Sequence, residues 1–179
     1  MERTIRDNYF IGLTLPGDVS SRIEKEREWM RQTWGNRSGM GTVPHITLIP
    51  PFYSNLSVKA LLPILSSIKS ERIDAVISGH GSFGGRTIYA FVEENKEMNE
   101  LQGKLKRVLR ENDIPFKDEK KFTPHITIAN RDIKPESFVP SMVYFESLNL
   151  HEEFVLSSFT LFSFIDYRWR VTGEIRFSS

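Results

Sequence analysis

His45 and Thr47 stand two residues apart in "PHITL", and His125 and Thr127 stand two apart in "PHITI". Imidazole titrates near neutral pH and can take or give a proton. A threonine hydroxyl can donate to an anionic oxygen. On a β-strand, residues i and i+2 share a face. Each motif therefore presents an imidazole beside a hydroxyl, with Ile46 or Ile126 turned back as an apolar anchor. Two such pairs around one point supply a base, an acid and two donors. That set suits displacement at a phosphodiester, where non-bridging oxygens gain charge in the transition state.

A lone His-x-Thr in a strand is ordinarily a packed histidine beside a strand-forming threonine. Duplication reverses that reading. An accidental four-residue match in a chain this long has odds of about one in ten, so the tetrapeptide alone decides little. The match continues chemically from Leu48 to Ile128, and the same 80-residue offset (45 to 125) pairs Tyr9 with Tyr89. An internal repeat is the better reading. His80 and His151, the other two of the four histidines, lack this support and read as surface or packing residues. Neither motif has a carboxylate or second histidine at metal-ligand spacing, and no serine sits in a glycine-rich elbow.

The motifs need strands to align them. "NYFIGLTLP" (Asn8–Pro16) reads as a strand, followed by a helix to about Trp34 with Val19, Ile23, Met30 and Trp34 on its apolar side. "GNRSGMG" (Gly35–Gly41) reads as a flexible loop, and "VPHITLI" (Val43–Ile49) as a strand stopped by Pro50-Pro51. A helix from Val58 to Ile68 and a strand from Arg72 to Phe83 close the first half. The second opens with a strand (Arg86–Glu94), an amphipathic helix around Met98–Leu109, a charged loop (Lys117–Lys121) and the strand "TPHITIA" (Thr123–Ala129). A short helix near Pro135–Phe145 and two long strands, Phe154–Phe164 and Arg168–Phe177, finish the chain. The order strand, helix, loop, motif strand, helix, strand occurs twice. It predicts an α+β fold of two lobes related by a pseudo-two-fold axis, with two antiparallel sheets flanked by helices and a central cleft. No linker is visible, so residues 1–179 are expected to form one bilobed domain.

Apolar residues make up 39% of the 179, with 13 Phe and 3 Trp, enough for a sizeable core. A net charge of +1 gives no global drive towards nucleic acid or membrane. The absence of cysteine excludes disulfides, thiolate metal sites and a thiol nucleophile. No run reaches the length of a membrane span and no signal peptide is apparent. A cytoplasmic monomer is expected, without membrane partners.

The paired motifs resemble the two-histidine (2H) phosphoesterase superfamily, and within it the RNA 2′,3′-cyclic phosphodiesterases, or 2′-5′ RNA ligase-like proteins. The resemblance extends over most of the chain. It includes "PHITLIPPF", the glycine-rich turn "GHGSFGGR", "FTPHITIA" and the terminal "FVLSSFTLFSF" and "YRWRV". It implies a cleft site with His45, Thr47, His125 and Thr127 as its catalytic set, without metal or cofactor. It implies as substrate an RNA or nucleotide with a 2′,3′-cyclic phosphate or a 2′,5′ linkage, opened by water or, in reverse, ligated. The pattern departs at Ala129-Asn130, where relatives carry arginine; here Arg131 follows one residue later. Further substrate contacts are expected from Tyr53 and Phe83, as stacking rings, and from Arg86, Lys120 and Arg131, as phosphate partners. The competing reading is an RNA- or nucleotide-binding module without turnover. The intact acid and base favour the enzyme, since holding a phosphate needs only cations.

Overall fold

The computed structural model describes residues 7–118 and 121–178. Among these, eight strands and four helices follow in order: β1 (Asp7–Thr14), α1 (Gly17–Trp34), β2 (His45–Ser54), α2 (Val58–Ser66), β3 (Ile73–Phe83), β4 (Thr87–Val92), α3 (Lys96–Glu111), β5 (His125–Asn130), α4 (Pro135–Ser147), β6 (His151–Leu156), β7 (Ser158–Ile165) and β8 (Arg168–Arg176). A 3₁₀ turn, Ser38–Gly41, lies between α1 and β2. The helices end where local chemistry says they should. Asn95 caps α3 by accepting from the Met98 N–H at 2.7 Å. Gly35, in the left-handed conformation, closes α1 by donating to the Arg31 carbonyl at 2.9 Å.

The strands form one antiparallel sheet in the order β6-β3-β4-β5-β2-β1-β7-β8. The two expected sheets are its two four-stranded halves, β6-β3-β4-β5 and β2-β1-β7-β8. They meet at a single pair, Ile46 opposite Ile126, both fully buried. The helices cross this seam. α1, which follows β1, packs on β5, while α3, which follows β4, packs on β2. One continuous core of Ile23, Met30, Leu101 and Leu105 against Ile11, Leu13, Ile46, Leu48, Ile126 and Ile128 lies beneath both halves.

Three sequence expectations change. Phe154–Phe164 is two strands, β6 and β7, broken at Ser157. β6 is the first strand of the sheet and β7 the seventh. Laid flat, six strand spacings would separate them by about 29 Å, yet one residue reaches about 7 Å. The sheet therefore curls until these strand ends meet. Pro50-Pro51 does not stop β2, which runs on to Ser54; the prolines fall where the β1–β2 register shifts and ladder bonds lapse. Finally, Tyr9 and Tyr89 are not equivalent. Leu13 lies opposite Ile46 and Ala90 opposite Ile126, an offset of 77 (90 − 13), so Gly12 is the counterpart of Tyr89. Tyr9 is a core residue whose hydroxyl sits 2.9 Å from the Leu56 carbonyl and 3.1 Å from the Asp7 carboxylate.

Deleting either side chain at the seam opens a cavity in the shared core. Ile46→Ala and Ile126→Ala should each lose about 2–5 kcal/mol in urea denaturation. Because the two side chains are cross-strand neighbours, the double variant should lose less than the sum.

Candidate active site

β2 and β5 run antiparallel through the Ile46–Ile126 pair. On either side of it, that register sets His45 towards Thr127 and Thr47 towards His125. The isoleucines enter the core, and the four polar residues, all half-buried, take the opposite face. Buried prolines, Pro44 and Pro124, precede both histidines and hold Val43 and Thr123 extended. Each imidazole then meets the carbonyl two residues back: His45 Nδ1 lies 2.8 Å from the Val43 oxygen, and His125 Nδ1 lies 2.7 Å from the Thr123 oxygen. A carbonyl only accepts, so Nδ1 carries the hydrogen in both rings. Nε2 is the atom left to accept a proton when the ring is neutral and to donate one when it is charged.

Burial pushes His45 down to about 4; the Val43 bond opposes this, and the Arg27 and His125 charges add to it. Burial also lowers His125, against the opposing bond to Thr123. In the unliganded protein near pH 7 both rings are therefore neutral, with Nε2 lone pairs available.

Arg27 was not anticipated from the sequence. It is 2% exposed. Nε and Nη2 donate to the Thr127 carbonyl at 3.1 and 2.8 Å, and Nη1 donates to the Thr42 carbonyl at 2.8 Å. Burial lowers its pKa from the usual arginine value. The nearest carboxylate, Glu24, stands 3.6 Å away and is half-exposed. Arg27 thus ties the segment before β2 to β5 through two carbonyls and places a fixed cation in the wall of the cleft.

A cleft of about 310 Å³ is lined by His45, Thr47, Thr127, Arg27, Asn130 and Arg131 together with Phe10, Pro51 and Trp169; His125 is not part of that lining and stands against Phe83 and Tyr89. Arg131 stands at the rim in a left-handed conformation (φ 63°), its N–H bonded to the Arg86 carbonyl at 3.0 Å. The Arg86 side chain is exposed. The 35–41 segment, read as a flexible loop, is pinned. Ser38 Oγ accepts the Asn130 N–H at 2.8 Å, Asp132 accepts the Arg37 N–H at 2.9 Å, and a Cβ on Gly39 would lie 2.1 Å from the Ile128 carbonyl. Phe83 and Tyr89 flank His125 at 5.0 and 5.2 Å between ring centroids. A Cβ on Gly81 would strike the Tyr89 ring at 2.7 Å.

Tyr53 is not at the cleft. It lies eight residues beyond His45 on the same strand, about 26 Å along it, and lines a separate depression with Asn112 and Asp113. Lys120 lies outside the described residues. His80 is a packing residue: its side chain is fully buried, 2.9 Å from the Glu26 carboxylate. His151 is exposed on β6. No helix among the described residues is long and apolar enough to cross a membrane.

An antiparallel sheet folded about two His-x-Thr strands is the architecture of the two-histidine phosphoesterases. The chain belongs to the 2′-5′ RNA ligase superfamily, whose sequence model matches residues 16–165. Its fold is similar to that of TT0787 from Thermus thermophilus, with a TM-score of 0.68 and 18% identity over 96% of this chain and 97% of that one. It is also similar to LigT from E. coli, solved with 3′-AMP, with a TM-score of 0.65 and 18% identity over 98% and 100% of the two chains. No curated protein sequence matches the chain.

The tautomer assignment is open to measurement. Two-dimensional ¹H–¹⁵N spectra at pH 7.5 should show His45 and His125 as neutral rings protonated at Nδ1, the less common tautomer in solution. On acidification both should titrate below the ordinary histidine value of about 6.5, His45 lowest.

Proposed function

We propose that the protein is a metal-independent phosphodiesterase that opens 2′,3′-cyclic phosphate ends, or 2′,5′ linkages, of RNA or nucleotides. The observation that carries this reading is the mirrored anchoring of the two rings. Each Nδ1 is held by the carbonyl two residues back, and the register sets each ring beside the other strand's threonine. A core histidine has no need of such a twin. The LigT structures with 3′-AMP, phosphate and ATP lend support, since a protein of similar fold takes nucleotides and phosphate.

In the proposed reaction the phosphodiester sits between the two strands. One imidazole Nε2 draws a proton from water as its oxygen bonds to phosphorus. The other, protonated, gives its proton to the departing ribose oxygen, so the monoester forms with no net change of protons on the pair. Thr47 and Thr127 hydroxyls donate to the non-bridging oxygens, and Arg27, in the wall of the same cleft, supplies fixed positive charge. Run in reverse with a ribose hydroxyl in place of water, the same groups would join two RNA ends. Nδ1 anchoring serves both roles, because it leaves Nε2 as the exchanging atom in each direction.

With a 2′,3′-cyclic mononucleotide, His45→Ala and His125→Ala should each lose about 10²–10⁴-fold in kcat. Full activity in either variant would remove that residue from the mechanism. Thr47→Val and Thr127→Val keep shape but remove a donor, and should each lower kcat by up to about 10²–10³-fold; wild-type rates in both would reduce the threonines to strand formers.

The pH dependence follows from the lowered histidines. One ring must be protonated and the other neutral, so kcat/KM should be bell-shaped. Its basic limb falls as pH rises through the value of the ring that must hold a proton. Since both rings are depressed in the free protein, that limb should lie below about 6.5. Bound phosphate favours the protonated form, so the basic limb of kcat should lie higher than that of kcat/KM. Both limbs belong to the coupled pair. A profile flat between about pH 4 and 9 would contradict the mechanism.

A further inference from the structure

The aromatic residues around His45 do not stop at the cleft. Phe10 and Phe162 flank its ring at 4.8 and 5.3 Å and stack on each other at 4.2 Å. Trp169 meets the edge of Phe10 at 4.8 Å, and Phe164 lies 5.1 Å beyond Trp169. Four rings therefore form a row that starts at His45 and runs out along the β7–β8 hairpin. Packing alone does not explain this row. The core lies on the other face of these strands, with Ile11, Phe159 and Leu161, and neither Phe10 nor Phe162 belongs to it. Phe10 and Phe162 are buried, Trp169 is half-buried, and Phe164 is 43% exposed at the open end.

The hairpin is built to hold this face out. Ile165 pairs with Arg168 across a two-residue turn, Asp166 and Tyr167, both at positive φ, the geometry that follows the natural strand twist. Tyr167 projects from the turn at 94% exposure. Trp169 lies opposite Phe164 in the β7–β8 ladder, so the two rings share a face, while the exposed Arg168 and Arg170 on either side of Trp169 take the other face. A row of rings that begins inside a cleft walled by Arg27 and Arg131 and ends at an exposed ring fits a single strand with stackable bases. The other half of the sheet offers less. Beside His125, Phe83 alone is exposed, over Tyr89 and next to the Gly84-Gly85 turn.

We propose that the cleft face of the β7–β8 hairpin is a stacking platform for single-stranded RNA, seating about two nucleobases beyond the one at the phosphate, on Trp169 and Phe164. The substrate is then the end of an RNA strand rather than a free mononucleotide. The strand leaves across β7–β8, while the β3–β4 hairpin with Phe83 has room for one base. This inference rests on the cleft's being a nucleotide phosphodiester site.

Binding rather than turnover separates the two ideas. Calorimetric titration with 3′-phosphorylated oligoadenylates of one, two and four nucleotides should show affinity rising at least tenfold from the shortest to the longest, since one stacked base contributes roughly five- to 100-fold. A tetranucleotide in which the bases remote from the phosphate are abasic should lose that gain, although its charge is unchanged. Phe164→Ala, at an exposed position that fold stability does not need, should bring the tetranucleotide-to-mononucleotide ratio close to one. Tyr167→Ser should reduce it in part. Affinity independent of length would overturn the platform. So would a gain that survives abasic substitution, or a ratio unmoved in Phe164→Ala. A protein that binds by length but never hydrolyses would refute the enzyme reading and keep the platform; one that hydrolyses cyclic mononucleotides without any gain from length would do the reverse.

Discussion

A single antiparallel pair, Ile46 with Ile126, sets the geometry on which the rest of the molecule depends. Strand alternation converts that one contact into a site. With the isoleucines committed to the core, the flanking histidines and threonines have only the opposite face available. The register places them in a crossed square, each imidazole next to the other strand's hydroxyl. A one-residue slip would turn all four into the core and bring the isoleucines out. The helices guard against this by crossing the seam: α1 holds β5 and α3 holds β2, so neither half can slide without disturbing a core that spans both.

The seam also has an electrostatic consequence. With one residue pair where a full ladder would have several, carbonyls at the junction need other donors. Arg27 meets two of them from within α1, and burying its charge there is tolerable because its donors are committed to oxygens. The cation that secures the backbone also lowers His45. One guanidinium thus links the backbone at the seam to the imidazole near it, where its charge adds to the burial that is the main cause of the lowered His45 value. The same helix face carries Glu26, which meets buried His80 under Phe145. Two ionisable residues in succession on a buried helical stripe mark α1 as more than a covering helix.

The juxtaposition of the two His-x-Thr pairs was legible because the chain repeats the motif on strands, where period-2 alternation fixes which residues share a face. Arg27 was legible in principle, four residues after Ile23 and three before Met30 on the apolar stripe of α1; a charge at such a position has to find partners. The ring row was not. β1 is buried along nearly its whole length, and an aromatic such as Phe10 in "NYFIGLT" does not declare which face is core and which is cleft. The break at Ser157 was hidden because "FVLSSFTLF" keeps the chemistry of a single strand while the chain passes between distant strands of the curled sheet. Tyr9 and Tyr89 were matched by counting along the chain. The connection from the anchored strand to the motif is three residues longer in the second half (36, from 90 to 126, against 33, from 13 to 46), so equal offset did not mean equal place. Tyr53 lies far from the cleft because β2 continues through Pro50-Pro51, two residues whose chemistry ordinarily ends a strand.

The central claim is that this cleft hydrolyses a cyclic phosphodiester by its own acid and base. The most direct measurement is ³¹P NMR of a 2′,3′-cyclic nucleotide incubated with the purified protein in ¹⁸O-labelled water and excess chelator. The cyclic resonance should give way to one monoester resonance, shifted by a single incorporated ¹⁸O, at a rate the chelator leaves unchanged. A cyclic resonance that persists, or hydrolysis that the chelator abolishes, would contradict it.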